Sequence, residues 1–174
     1  MSLLNVPIGS HCPDEVNVII EIPRLSQNKY EMDPDWGVMR LDRVLFSPLH
    51  YPADYGFVPQ TKYEDGDPVD ALVLISRPTF PGVVVEARPV GVLEMRDGGM
   101  PDEKILCVAT KDPRFNKRYN MGDMNPHTLA EIVHFFEVYK ALENKEVEIV
   151  GWKDVEVAHH ILKSYRTDEA KDMA

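Results

Sequence analysis

The sequence predicts a mainly β fold of the α+β class, a small barrel or curled sheet with two C-terminal helices packed against it. Three observations lead there. Most of the 14 prolines fall in the first two-thirds of the chain, where they punctuate short apolar segments of strand length. Within those segments apolar residues recur at every second position or run unbroken, whereas the last third changes to a helical period. No repeat, low-complexity tract or Gly/Ser linker divides the 174 residues, so 1–174 reads as a single domain able to bury its own core.

Val16–Ile22 alternates, with Val16, Val18, Ile20 and Ile22 on one face and Asn17, Ile19 and Glu21 on the other. Lys29–Met32 and Val38–Leu45 follow as strands. The run from His50 to Pro59 holds two further prolines and a glycine, and reads as a fixed turn packed by aromatic rings. Asp70–Ile75, Val83–Met95 and Lys104–Thr110 are the next strands. An interruption is expected near Pro89, because proline donates no ladder hydrogen bond. Thr128–Glu143 then places Leu129, Ile132, Val133, Phe136 and Tyr139 on one helical face, with Thr128 and Glu131 as a capping box. After a short strand, Glu146–Val150, a second helix is expected over Asp154–Tyr165 with Val155, Ala158, Ile161, Leu162 and Tyr165 inward. The polar tail 167–174 is expected to fray.

Composition narrows the function. Nineteen basic residues against 29 acidic ones give a net charge of −10, which argues against a nucleic-acid surface. Bound cations would still let such a protein handle an anionic substrate. No apolar run approaches the roughly 20 residues of a membrane span, and the N-terminus lacks a basic segment followed by a long apolar one. The expectation is a cytoplasmic protein that contacts no membrane. Cys12 and Cys107 form no CxxC pair, and Cys107 sits in an apolar run as a reduced, buried thiol.

The sharpest local feature is Asp65-Gly66-Asp67-Pro68-Val69-Asp70, three carboxylates in six residues just before a strand. A turn can converge them on a hard cation. Asp-Gly and Asp-Pro are equally ordinary turn pairs, so the hexapeptide alone leaves both readings open. An EF-hand loop is excluded, since the position that needs glycine is Asp70 and the one that needs glutamate is Ser76. A second acidic stretch, Asp97-Gly98-Gly99-Met100-Pro101-Asp102, reads as a hairpin loop, with Lys104 opening the next strand. The two loops could face each other across a barrel mouth. Lys29 and Glu31 share one face of a strand, which Glu21 could join, and Arg43 lies on another strand; singly, each is also an ordinary surface charge. Tyr51, Tyr55, Tyr139 and Lys140 sit among packed aromatics. No phosphate loop, dinucleotide glycine motif or His-Glu-x-x-His occurs.

In order and spacing, Glu21, Lys29/Glu31, Arg43, Tyr51/Tyr55, Asp65/Asp67/Asp70, Asp97/Asp102/Lys104 and Tyr139/Lys140 resemble the family I soluble inorganic pyrophosphatases of the short, bacterial type. The segments D-G-D-P-V-D-A, Y-P-A-D-Y-G-F and R-P-V-G-V-L carry the likeness, which runs over nearly the whole chain. One departure is Gly98-Gly99, where some relatives are acidic. The resemblance implies a five-stranded OB-like barrel with flanking helices, a site at its mouth, and a homo-oligomer, commonly a hexamer. It implies Mg²⁺-dependent hydrolysis of pyrophosphate by a metal-activated water, with several Mg²⁺ per site, Mn²⁺ or Zn²⁺ as substitutes, and no phosphoenzyme. By matching position, Asp65, Asp70 and Asp102 hold the first metal and Asp70 bridges to a second. Asp97 and Asp102 hold those arriving with substrate, and Glu21 and Glu31 act partly through water. Asp67 is then the proton acceptor, and Lys29, Arg43, Tyr139 and Lys140 grip phosphate. Tyr55 hydrogen-bonds near the nucleophile, and Lys104 balances the leaving phosphate. The alternative reading is a non-catalytic divalent-metal module built on the same aspartates.

Overall fold

The computed structural model describes residues 3–167. Its strands are β1 (Val16–Ile22), β2 (Asn28–Asp33), β3 (Val38–Val44), β4 (Asp54–Val58), β5 (Val69–Leu74), β6 (Val84–Asp97), β7 (Met100–Pro101), β8 (Lys104–Ala109) and β9 (Val147–Asp154). The helices are α1 (Pro126–Val138) and α2 (Val155–Tyr165). Five strands close a ring in the order β1-β4-β5-β8-β6, and β6 pairs back onto β1, giving the expected OB-like barrel. β5 and β8 run parallel; every other junction of the ring is antiparallel. β7 and β9 extend the far end of β6, while β2 and β3 form a separate hairpin.

Period-2 geometry divides the core in two. Along β5, Ala71 and Val73 point to one cluster with Ala158, Ile161 and Leu162 of α2, and along β8 Ile105 and Cys107 do the same. The intervening Leu72, Leu74, Leu106 and Val108 point to the other cluster, with Ile132, Phe135 and Phe136 of α1. Both faces of these strands are buried, so their sequences read as continuous apolar runs rather than alternation. At about 2 kcal/mol for each large apolar side chain buried, each helix is held by several such contacts. Asp70 and Lys104, one step before Ala71 and Ile105, fall on the α1 side of the wall by the same alternation.

Four sequence expectations need correction. The run around Tyr55 is not a turn but barrel strand β4, paired with β1 and β5. Asp54 and Gly56 hid it, and both have tertiary reasons to be there. Asp54 is buried and accepts from the Arg24 amide (2.8 Å) and from the Thr79 amide (3.0 Å) and hydroxyl (2.6 Å), tying two loops together. A Cβ at Gly56 would stand 1.8 Å from the Ile19 carbonyl oxygen, so β4 can lie this close to β1 only with glycine. Pro89 does not interrupt β6; the pairing with β8 shifts register between Pro89 and Gly91, a bulge that absorbs the missing donor. Helix α1 is capped by Asn125, whose side chain accepts from the His127 and Thr128 amides, in place of the Thr128/Glu131 box. It also ends at Val138 rather than Glu143, and a 3-10 turn (Ala141–Glu143) follows, closed by Asn144 in the left-handed region (φ 54°). Ile19 is buried as well, so both faces of β1 are covered there. α2 begins where expected, with the Asp154 side chain accepting from the Val155 amide. In the tail, the Thr167 amide donates to the Gln60 carbonyl (2.9 Å), and 168–174 lie outside the described residues. No described helix is long and apolar enough to cross a membrane.

Candidate active site

At one mouth of the barrel lies a cavity of about 810 Å³. β5 brings Asp70 to its rim and β8 brings Lys104. Because the two strands are parallel, with Ala71 opposite Ile105, both charges emerge at the same end. The Lys104 ammonium, 3% exposed, lies 2.6 Å from Asp70 Oδ2 and 2.5 Å from Asp102 Oδ1. It also stands 5.6 Å from the centre of the Tyr55 ring. The far end of β6 and the two-residue turn Gly98-Gly99, both at positive φ (57° and 83°), set Asp97 on the same mouth, paired with Lys140. Lys140 and Tyr139 arrive from the end of α1, Tyr139 packed on Phe135 and Phe136. Across the cavity β2 presents Lys29 and Glu31, paired with each other, and β1 presents Glu21, which accepts from the Met32 amide (2.8 Å).

Of the thirteen residues expected from the sequence, eleven line this cavity: Glu21, Lys29, Glu31, Tyr55, Asp67, Asp70, Asp97, Asp102, Lys104, Tyr139 and Lys140. Two do not. Asp65 Oδ1 accepts from the Asp67 amide (2.9 Å), making the turn that aims Asp67 inward. Arg43 stands behind the lining, ion-paired with Asp42 and, through Nε at 3.1 Å, with Glu143. Tyr51 also lies behind it, with its ring 5.6 Å from that of Tyr55. Sequence reasoning missed Asp42 and Glu143. Neighbours on a regular strand point apart, so no spacing rule pairs Asp42 with Arg43; the register shift opposite Lys29/Tyr30 brings them together and lets Asp42 approach Lys29 (3.6 Å). Glu143 had been placed in a helix that the structure ends five residues earlier.

The electrostatics follow from crowding. Burial pushes the Glu21 carboxyl up to about 7, against the Met32 amide, with Asp70 adding to the rise. Burial also raises Asp67, helped by Asp65, Asp70 and Glu31. Asp102 is raised by burial and by Asp70 and Asp97, although Lys104 opposes the shift. Burial works against the Lys104 ammonium, yet Asp70 and Asp102 outweigh it and hold the amine above its ordinary value. The phenols of Tyr55 and Tyr139 are pushed up by burial and then by Asp102 and Asp70, so both stay protonated donors. All titratable donors in the lining are carboxylate, phenol or ammonium; no histidine or cysteine takes part. Among the described residues no group of three or more His, Cys, Asp or Glu side chains is converged closely enough to hold a metal ion as it stands. A rim of carboxylates held apart by ammonium groups can accept hard cations and a polyanion together.

Residues 18–169 match the family model for inorganic pyrophosphatase. The chain belongs to the inorganic pyrophosphatase family. Among similar proteins of this family, the inorganic pyrophosphatase of Nostoc sp. is 55% identical over 156 residues, covering 90% of this chain and 92% of that protein. That of Picrophilus torridus is 45% identical over 166 residues, 95% and 94% of the two chains. The crystal structure of inorganic pyrophosphatase from Thermus thermophilus matches with a TM-score of 0.92 and 45% identity, over 95% of this chain and 97% of that one. The family match therefore covers all but the first two residues of the barrel strands, both helices and every residue of the cavity.

Proposed function

We propose that this chain hydrolyses inorganic pyrophosphate to two phosphates in an Mg²⁺-dependent reaction, by direct attack of water. The observation that carries the reading is the mouth itself, where carboxylates and the ammonium groups of Lys29, Lys104 and Lys140 share one cavity. A non-catalytic metal module has no use for Lys29, Tyr139 and Lys140 in the same cavity.

The donor set fits Mg²⁺: oxygen ligands only, few enough to leave coordination positions for water and substrate oxygens. Asp65, Asp70, Asp97, Asp102, Glu21 and Glu31 would hold it, several ions per site, with Mn²⁺ or Zn²⁺ as substitutes. When bound, Mg²⁺ supplies neutralisation of the phosphate oxygens and lowers the pKa of the attacking water. Lys29, Arg43, Tyr139 and Lys140 grip pyrophosphate oxygens and fix the phosphorus in line with the nucleophile. Asp67 accepts the proton of the water as its oxygen bonds to phosphorus, and its raised pKa suits that task. Tyr55 donates near the nucleophile. The bridging P–O bond breaks, and Lys104 balances the charge that develops on the departing phosphate. No side chain becomes phosphorylated. The protein works in the cytoplasm as a homo-oligomer, a hexamer by family resemblance.

Phosphate release from pyrophosphate with Mg²⁺, against an EDTA control, tests the reading. Metal binding without turnover would leave the non-catalytic module standing instead.

A further inference from the structure

Arg43 and the end of α1, to which the proposed function gives the phosphate contacts, come from distant parts of the chain, and one side chain joins them. Glu143 is three residues beyond Lys140, and its amide donates to the Lys140 carbonyl (2.9 Å). The left-handed turn at Asn144 closes that 3-10 segment. The Glu143 side chain is only 6% exposed, and it faces Arg43 along one edge of the guanidinium: Nε to Oε1 at 3.1 Å and Nη2 to Oε2 at 3.4 Å, across 100 residues of sequence. Asp42 takes a hydrogen from Nη1. Nε, although close to Oε1, makes no hydrogen bond, so its hydrogen and one on each Nη remain unused among the five N–H donors of the arginine. The charge of Arg43 reaches Tyr139 on the cavity wall.

β2 and β3 are not part of the barrel, so the hairpin that carries Lys29 and Arg43 lacks the ladder that fixes the other strands. The Glu143 carboxylate restores a fixed relation, because it accepts from Nη2, lies 3.1 Å from Nε and so holds the planar guanidinium along one edge. We infer that Glu143 is the positioning residue for Arg43: it locks the guanidinium of the hairpin to the Tyr139–Lys140 end of α1, so that both sets of phosphate donors present one rigid surface. Glu143 touches no substrate. The inference rests on the proposed role of Arg43 in gripping phosphate.

The sign of the effect separates this from a simple charge effect. A buried carboxylate near a polyanion repels it, so removing the charge would tighten pyrophosphate binding if repulsion were all that Glu143 contributed. Loss of positioning weakens binding instead. Glu143→Gln keeps length and one acceptor but loses the ion pair along that edge. The expected result is a KM for pyrophosphate raised roughly 5- to 20-fold, a kcat within about twofold, and an unchanged Mg²⁺ dependence. Arg43→Lys, which lacks that planar edge, raises KM by itself, and adding Glu143→Gln to it produces no further rise. A lowered KM in Glu143→Gln, or KM effects that multiply in the double variant, overturns the inference. So does a variant that loses thermal stability while its KM stays put, since Glu143 would then only hold the fold. If Arg43→Lys alone leaves the kinetics unchanged, the Arg43 assignment fails and the inference with it; if the parent releases no phosphate with Mg²⁺, the hydrolase reading itself fails.

Discussion

Glu21→Gln converts the crowding at the mouth into a measurable stability difference. Burial lifts the Glu21 carboxyl from 4.5 to about 7 in the folded protein. Between those values the native state holds a proton that the unfolded chain has released, so the unfolded state binds fewer protons and stability falls as pH rises. At 1.36 kcal/mol per pKa unit the whole window corresponds to roughly 3 kcal/mol, and partial contact of Glu21 with water brings this to about 2. Glutamine retains an acceptor for the Met32 amide but carries no charge to desolvate. The assay is urea unfolding in EDTA at pH 5 and pH 8, for parent and variant. Asp67 and Asp102 are also raised and contribute their own pH dependence to both proteins, so the quantity to read is the difference between them. Glu21→Gln should gain about 2 kcal/mol on the parent in going from pH 5 to pH 8. Saturating Mg²⁺ should erase that gain, because the cation then stabilises the ionised carboxylate. A difference that stays constant with pH would show that Glu21 is solvated, and would refute the claim that its burial creates an unmet charge.

Three further outcomes are expected. Ca²⁺, which takes longer bonds and more ligands, should compete with Mg²⁺ and inhibit phosphate release; robust turnover with Ca²⁺ alone would count against the metal reading. Asp67→Asn should lower kcat by about 10²-fold or more with little change in the Mg²⁺ concentration for half-maximal activity, whereas Asp70→Asn should shift both; full recovery of Asp67→Asn at high Mg²⁺ would make Asp67 a ligand rather than the base. Gly56→Ala places a methyl group against the backbone of Ile19 and Ile20, which no rotamer relieves, and should cost about 3 kcal/mol or more in denaturant unfolding; an unchanged midpoint would mean that β1 and β4 separate freely.

How much of this the sequence disclosed depends on where the reason for each residue lies. β1, β5 and β8 were legible because their apolar patterns are local properties of the chain. β4 was not, since Asp54 and Gly56 look like turn residues until Thr79 and Ile19 are seen beside them. The overrun of α1 has the same origin: Tyr139 continues the apolar period and is buried, but only as the residue that caps the helix. The cavity residues were found as a set, because their order and spacing resemble those of the inorganic pyrophosphatases; singly, each carboxylate and cation reads equally well as an ordinary turn or surface residue. Arg43 was placed on its strand, while the carboxylate that holds it, Glu143, lies 100 positions away and follows no local rule.

The parallel pairing of β5 and β8 has a consequence for how such a site can change over time. Asp70 and Lys104 stand side by side because two strands start at the same rim, and their backbone separation is the spacing between hydrogen-bonded strands, about 4.8 Å. The chain that connects them crosses the loop near Pro81, runs along β6 and returns through β7, yet its length does not enter that spacing. Insertions or deletions in the loop near Pro81, or at the Gly98-Gly99 tip, can therefore accumulate without moving Asp70 relative to Lys104. A change of one residue within β5 or β8 cannot, because a single-step slip sends the charge to the opposite face of the wall. The surroundings of the mouth are free to diversify in size and polarity while its two central charges keep their separation.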